Sequence, residues 1–132
     1  MRLGYLLLTA ILLLLLSCRE MPEAKTPVYS GDADQVALDL ISLGNFRAVT
    51  INARTRQQDD NAPRSEIEIT LFGGDITRHR ETELDTLAKK AARMLSSATT
   101  NMKDFGWVTV LYDTTLESTE QRAFVYRPDE LR

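Results

Sequence analysis

Leu84, Leu87, Ala88, Ala91, Met94, Leu95 and Ala98 recur at i, i+3, i+4, i+7, i+10, i+11 and i+14, which draws one apolar stripe along about four turns of helix. Glu81, Glu83 and Asp85 open this segment and Lys89, Lys90 and Arg93 lie towards its end, the order that the helix dipole favours. Thr82 and Asp85 stand at capping-box spacing. Such a stripe has to be buried, so the rest of the chain must provide a flat apolar surface for it.

The flanking segments supply strands. Residues 46–55 (FRAVTINART) place Val49, Ile51 and Ala53 on one side, and residues 65–72 alternate Ile67, Ile69 and Leu71 with Glu66, Glu68 and Thr70. The polar stretch between them predicts a hairpin with an exposed tip, and Gly73-Gly74 ends the second strand. Residues 106–112 (GWVTVLY) and 119–127 (TEQRAFVYR), separated by DTTLES, predict a second hairpin. Residues 32–43 carry Val36, Leu40 and Leu43 at helical spacing, with Asp32 or Asp34 as N-cap and Gly44 as a left-handed C-terminal residue. Val36, Leu38 and Leu40 also alternate as a strand would. The expected fold is α+β: a four-stranded antiparallel sheet from two hairpins, the long helix packed on one face, and a short N-terminal helix.

A chain of 132 residues supports one such domain, and its 43% hydrophobic and 27% charged residues are globular values. A net charge of −3 offers no basic field for nucleic acid, and one Cys with one His leaves no disulfide framework and no multi-histidine metal site. No cofactor is expected. The first residues depart from this average: after Arg2, residues 3–16 (LGYLLLTAILLLLL) carry no charge. A membrane-spanning helix needs roughly 20 apolar residues, so this shorter run with a basic start and a small residue after it reads as a secretory signal peptide.

The run ends in Leu15-Leu16-Ser17-Cys18, which resembles the lipobox of bacterial lipoproteins, with Leu three before the Cys and a small residue just before it. The resemblance covers the first eighteen residues. It implies diacylglyceryl transfer to Cys18, cleavage by signal peptidase II and further acylation of the new amine, so that several acyl chains such as palmitate hold the protein on a membrane. By the same resemblance, Arg19 at the second mature position points to the outer membrane, facing the periplasm. The domain plan is then a signal peptide over 1–17, lipidated Cys18 and a tether over 18–31, and one domain over 32–132. Losing Arg2 takes Lys+Arg from 16 to 15 against 19 acids, a mature charge of −4, so anionic headgroups are not expected to attract the chain strongly and membrane contact is expected to depend on the lipid.

Three clusters are candidates for function. Arg78, His79 and Arg80 lie between the glycine pair and the long helix, where backbone N–H groups are able to meet an anion; no P-loop and no G-x-S-x-G motif accompanies them. Asp59 with Asp60, and Glu66 with Glu68, are pairs of acids that read as solvated loop and strand-face residues rather than as a glycosidase or Ca²⁺ site. Trp107, with Thr109 and Leu111, is expected to meet Phe124 and Tyr126 of the neighbouring strand beside Arg122, on a face either covered by the first helix or exposed to a partner. Function is read as that of a non-enzymatic envelope lipoprotein, a binding or structural accessory module that acts through protein or ligand contacts at the membrane surface, with an envelope protein as the expected partner. The alternative is a small tethered enzyme or anion sensor using the turn from Gly73 to Arg80.

Overall fold

The computed structural model describes residues 21–132 apart from 60, 75–78 and 114–120. Cys18, Asp60, Arg78 and the start of the last expected strand lie outside the described residues. Helix α1 spans Ala33–Ser42, strands β1 and β2 span Ala48–Arg56 and Arg64–Phe72, helix α2 spans Glu81–Ala98, and strands β3 and β4 span Phe105–Asp113 and Gln121–Tyr126. Short 3₁₀ turns at Met102–Asp104 and Pro128–Leu131 flank the second pair of strands.

Both hairpins form as their alternation requires. β1 and β2 pair antiparallel from Ala48↔Phe72 to Arg56↔Arg64, and β3 and β4 pair antiparallel from Val108↔Tyr126 to Asp113↔Gln121. The sheet is nevertheless mixed, not antiparallel throughout. Its order is β1-β2-β3-β4, and the central β2 and β3 run parallel, with a register shift between Ser65 and Glu66. The long helix is the cause. Eighteen residues of α-helix rise about 27 Å, close to the roughly 30 Å of a nine-residue strand. Laid back along the sheet, α2 returns the chain to the end where β2 began, so β3 has to run in the same direction.

Both helices lie on one face. α2 packs on β3 and β4, α1 packs on β1 and on α2, and Val36, Leu40, Leu84, Ala88, Ala91, Ala92 and Leu95 share one core with Ile67, Ile69, Leu71, Val108, Val110 and Tyr112. Each fully buried Leu or Ile there contributes about 1.5–3 kcal/mol relative to exposure. The run Ala88, Ala91 and Ala92 keeps the helix surface flat enough to approach the sheet closely. Within α1, Val36 and Leu40 are buried while Leu38 is 56% exposed, so the i, i+4 spacing decides the conformation and the strand alternative fails. Tyr112 donates its hydroxyl to the Leu84 carbonyl at 2.7 Å, and Tyr126 donates to Asp85 Oδ1 at 2.6 Å, which ties β3 and β4 to the first turns of α2.

Two end signals differ from expectation. After α1 the left-handed residue is Asn45, at φ +52°, not Gly44. Gly44 is needed for space: a Cβ there would lie 2.7 Å from the Phe46 ring, as one at Gly74 would lie 2.6 Å from it. At the start of α2, Thr82 and Asp85 form no capping box. Glu83 Oε2 instead accepts the Arg80 N–H at 3.1 Å.

Nor is the segment before Asp32 a free tether. The Thr55 hydroxyl donates to the Pro22 carbonyl at 2.5 Å, and the Lys25 N–H donates to Ser65 Oγ at 2.8 Å. Asn101 grips the next residues from both sides: its amide nitrogen donates to the Thr26 carbonyl at 3.0 Å, and its oxygen accepts the Val28 N–H at 2.8 Å. Tyr29 bridges Thr99, and the Ser30 N–H donates to the Ala98 carbonyl at 2.8 Å. Residues 22–30 therefore form a strap across the end of the sheet where α2 finishes and β2 and β3 begin.

Candidate functional site

With α1 and α2 on the same side, no helix among the described residues lies over the other sheet face. In antiparallel pairs, residues directly opposite share a face. Phe124 pairs with Val110 and Tyr126 with Val108, both helix-facing, so the expected meeting of Trp107 with Phe124 and Tyr126 does not occur. Phe124 stacks edge-on against Tyr112 at 5.9 Å between ring centroids, beneath the helices. Burial, then hydrogen bonding to Asp85 and that carboxylate's charge, push the Tyr126 hydroxyl's pKa well above 10.0; burial followed by the Asp85 charge does the same to Tyr112. Arg122 belongs to the helix side too, paired with Glu81 at the start of α2. Nor does α1 cover Trp107, because it sits against β1 on the opposite face.

The open face is arranged in rows across the strands: Arg54, Glu66, Trp107; then Asn52, Glu68, Thr109, Val125; then Thr50, Thr70, Leu111, Ala123. Glu66, expected to be solvated, is fully buried. Its Oε2 accepts from Arg54 Nε at 3.1 Å, while Oε1 accepts from Arg56 Nη1 at 3.3 Å and from the Thr109 hydroxyl. Arg54 Nη2 lies 2.9 Å from Glu68 Oε2 but outside hydrogen-bonding angles, an ionic rather than a directed contact. The Arg56 guanidinium stands 5.3 Å from the Trp107 ring centroid, within cation–π range. These bonds hold Arg54 by its Nε and Arg56 by one terminal nitrogen.

The result is a shallow groove of about 450 Å³. Its floor is Glu66 and Thr109; one wall is Arg54 and Arg56, and the other is Leu111, Ala123 and Val125. Since Glu66 is hidden while the Arg54 and Arg56 side chains are 58% and 37% exposed, the charge that this groove presents outward is positive. Its far wall is apolar, with Val125 44% exposed. The groove thus sets exposed guanidinium groups on one side against an apolar wall on the other. Trp107 belongs to this face; Arg54, Arg56 and Val125 are residues that sequence reasoning missed, and Glu66 is one that it read as solvated. Opposite charges at alternate positions of β1 and β2 carried the signal, but only the register aligns Arg54 with Glu66.

The turn before α2 offers less to an anion. Gly73, at φ +77°, ends β2 in a conformation that other residues rarely adopt. His79 Nδ1 lies 3.3 Å from Glu83 Oε2, and the same carboxylate takes the Arg80 N–H, so the helix's own acid occupies the place an anion would take. Beside it Leu43, Phe46, Leu84 and Leu87 line an apolar hollow of about 460 Å³. Among the described residues, no three His, Cys, Asp or Glu side chains gather as metal ligands, and no helix is long and apolar enough to cross a membrane. Comparison with protein-family models, with curated proteins and with solved structures finds no match to this chain.

Proposed function

We propose that the protein is a lipid-anchored bacterial envelope protein, held by acylated Cys18 at the periplasmic side of the outer membrane. It works as a binding module, not an enzyme. Its open sheet face docks an envelope protein through a segment that sets carboxylates against Arg54 and Arg56 and apolar side chains against Leu111 and Val125. The observation that carries this reading is the placement of both helices on one face, which leaves Trp107, Leu111 and Val125 at the surface beside two fixed guanidinium groups. Anchoring adds to it, because confinement at a membrane raises the effective concentration of a partner there and makes a modest interface sufficient.

The anchor is tested by labelling cells with radioactive palmitate: incorporation is expected in the native chain and none in Cys18→Ala, and equal labelling of both refutes it. The face is tested by a photocrosslinking residue placed at Ala123, with Leu38 on the helical side as control. Adducts to one envelope protein are expected from position 123 only, mapping to an acidic and apolar stretch, and Arg54→Glu should abolish them. Equal crosslinking from both positions, or indifference to Arg54→Glu, refutes the docking face.

A further inference from the structure

The end of the sheet that receives the strap also holds a cleft of about 750 Å³, open to solvent. Arg64, Lys103, Arg127 and Arg132 line it together with Trp107, and Asp129 is the one carboxylate side chain among its described walls. These cations differ from the other arginines of the sheet. Arg54, Arg56 and Arg122 each have a carboxylate partner, whereas Arg64, Lys103, Arg127 and Arg132 form no ion pair within the described residues. All four side chains are exposed. Their grouping follows from the topology: β2 starts at Arg64, β3 follows Lys103, and β4 ends just before Arg127, so the parallel pair and the two hairpins bring these four positions to one end.

The chain enters the domain at that same end. Pro22 is fixed to Thr55, and Lys25 to Ser65, next to the residues that open the cleft. Only four peptide steps separate Pro22 from Cys18, a reach of at most about 14 Å. On the reading that Cys18 is acylated, a docked strap and so short a leash leave the domain little choice of orientation, and the basic cleft is turned towards the bilayer. The overall charge of −4 repels an anionic surface only weakly at distance, since charges beyond about 10 Å are screened in physiological salt, while the residues that reach the headgroups are the cationic ones. A tryptophan at the rim of such a contact is suited to the membrane–water boundary, with an apolar ring and an N–H donor.

We infer that the cleft formed by Arg64, Lys103, Arg127 and Arg132 seats the domain on anionic lipid headgroups and fixes how the open sheet face is presented. The inference rests on the anchoring reading above and specifies the surface to which the anchored domain binds.

Trp107 is the one tryptophan in the chain and lines this cleft, so its fluorescence is a probe of contact there. The native acylated protein, its lipid verified by mass spectrometry, is reconstituted into phosphatidylcholine vesicles with or without about 30% phosphatidylglycerol, enough to give an anionic surface. Headgroup-labelled quencher lipids are then added. Trp107 should be quenched at least about two-fold more in the anionic vesicles, with the difference lost near 0.5 M salt. The Arg64→Glu, Arg127→Glu, Arg132→Glu variant should show no preference, while the control Lys89→Glu, Lys90→Glu, Arg93→Glu, an equal charge change on α2, should keep it.

Equal quenching in both vesicles, or an equal loss in the control, overturns the inference while leaving the anchor intact. A response of Trp107 to inorganic phosphate that removes the vesicle effect assigns the cleft to a soluble anion and overturns it as well. A native chain without acyl groups refutes the anchoring reading itself, which mass spectrometry reports before any vesicle is made.

Discussion

Glu66→Gln is the sharpest probe of the open face. The carboxylate is fully buried and accepts three hydrogen bonds, two from guanidinium groups and one from the Thr109 hydroxyl. Glutamine has the same shape but one acceptor oxygen and an NH₂ group. Its best placement turns the oxygen to Arg54 Nε and the NH₂ to Thr109 Oγ, whose hydroxyl is able to accept, which leaves Arg56 Nη1 facing a donor. One charge-assisted bond is then lost and another becomes charge–neutral. Bonds to charged groups are worth about 1.5–3 kcal/mol each, but Arg54 and Arg56 are 58% and 37% exposed and recover hydration, so the net cost is about 1.5–2.5 kcal/mol. For a domain of this size that lowers Tm by about 6–10 °C, and urea titration should show a lower midpoint with an unchanged slope. In the Arg54→Met background the cost of Glu66→Gln should shrink by about 1 kcal/mol, since the two residues share a bond. A loss below about 0.5 kcal/mol, or full additivity with Arg54→Met, would refute the view that this carboxylate organises the cationic wall.

Other outcomes follow from the helix side. Tyr126 keeps its proton in the folded chain at pH values where an unfolded tyrosine, near 10.0, loses it, so the unfolded state binds fewer protons and stability falls as pH rises above about 10. Tyr126→Phe should cost about 1 kcal/mol at neutral pH and flatten that alkaline decline, both read from urea midpoints between about pH 8 and pH 11. Leu95→Ala, at a fully buried position of α2, should cost about 2–5 kcal/mol by the same assay. Asn101→Ala removes both side-chain bonds to the strap and should speed tryptic cleavage after Lys25 about ten-fold with little change in Tm. Unchanged cleavage would mean that the strap is held by its backbone bonds alone.

Local patterning made the elements readable, while their assembly depended on contacts between distant residues. The Leu84-to-Ala98 stripe, the alternation of Ile67, Ile69 and Leu71, and the Val36 to Leu40 spacing each reflect one face of one element against a core, and each of these segments takes the expected type of element with bounds that differ in detail. The parallel pairing of β2 with β3 was not visible in any strand, because it follows from the length of α2 and the end to which it returns the chain. That pairing also decided the candidate site. The register that sets Phe124 beside Val110 sends its ring under the helices, whereas Trp107, three residues earlier than Val110, points the other way. Glu66 looked like a surface acid because it alternates with Ile67 and Ile69 on the polar side of its strand; the arginines that bury it come from ten and twelve residues away. The strap was unreadable for a similar reason, since a Pro-containing polar segment docks through backbone groups that composition does not record.

The central parallel pair has a consequence for how the molecule comes into being. A chain released only as far as Phe72 holds a finished hairpin whose inner edge, with Ile67, Ile69 and Leu71 on one side, has neither its neighbour strand nor its roof. That edge stays available to other chains until some forty more residues have been made, the helix has been laid back over the sheet, and Phe105–Asp113 has slotted in. Truncations that stop before Asp113 should therefore give insoluble hairpins and not smaller folded domains.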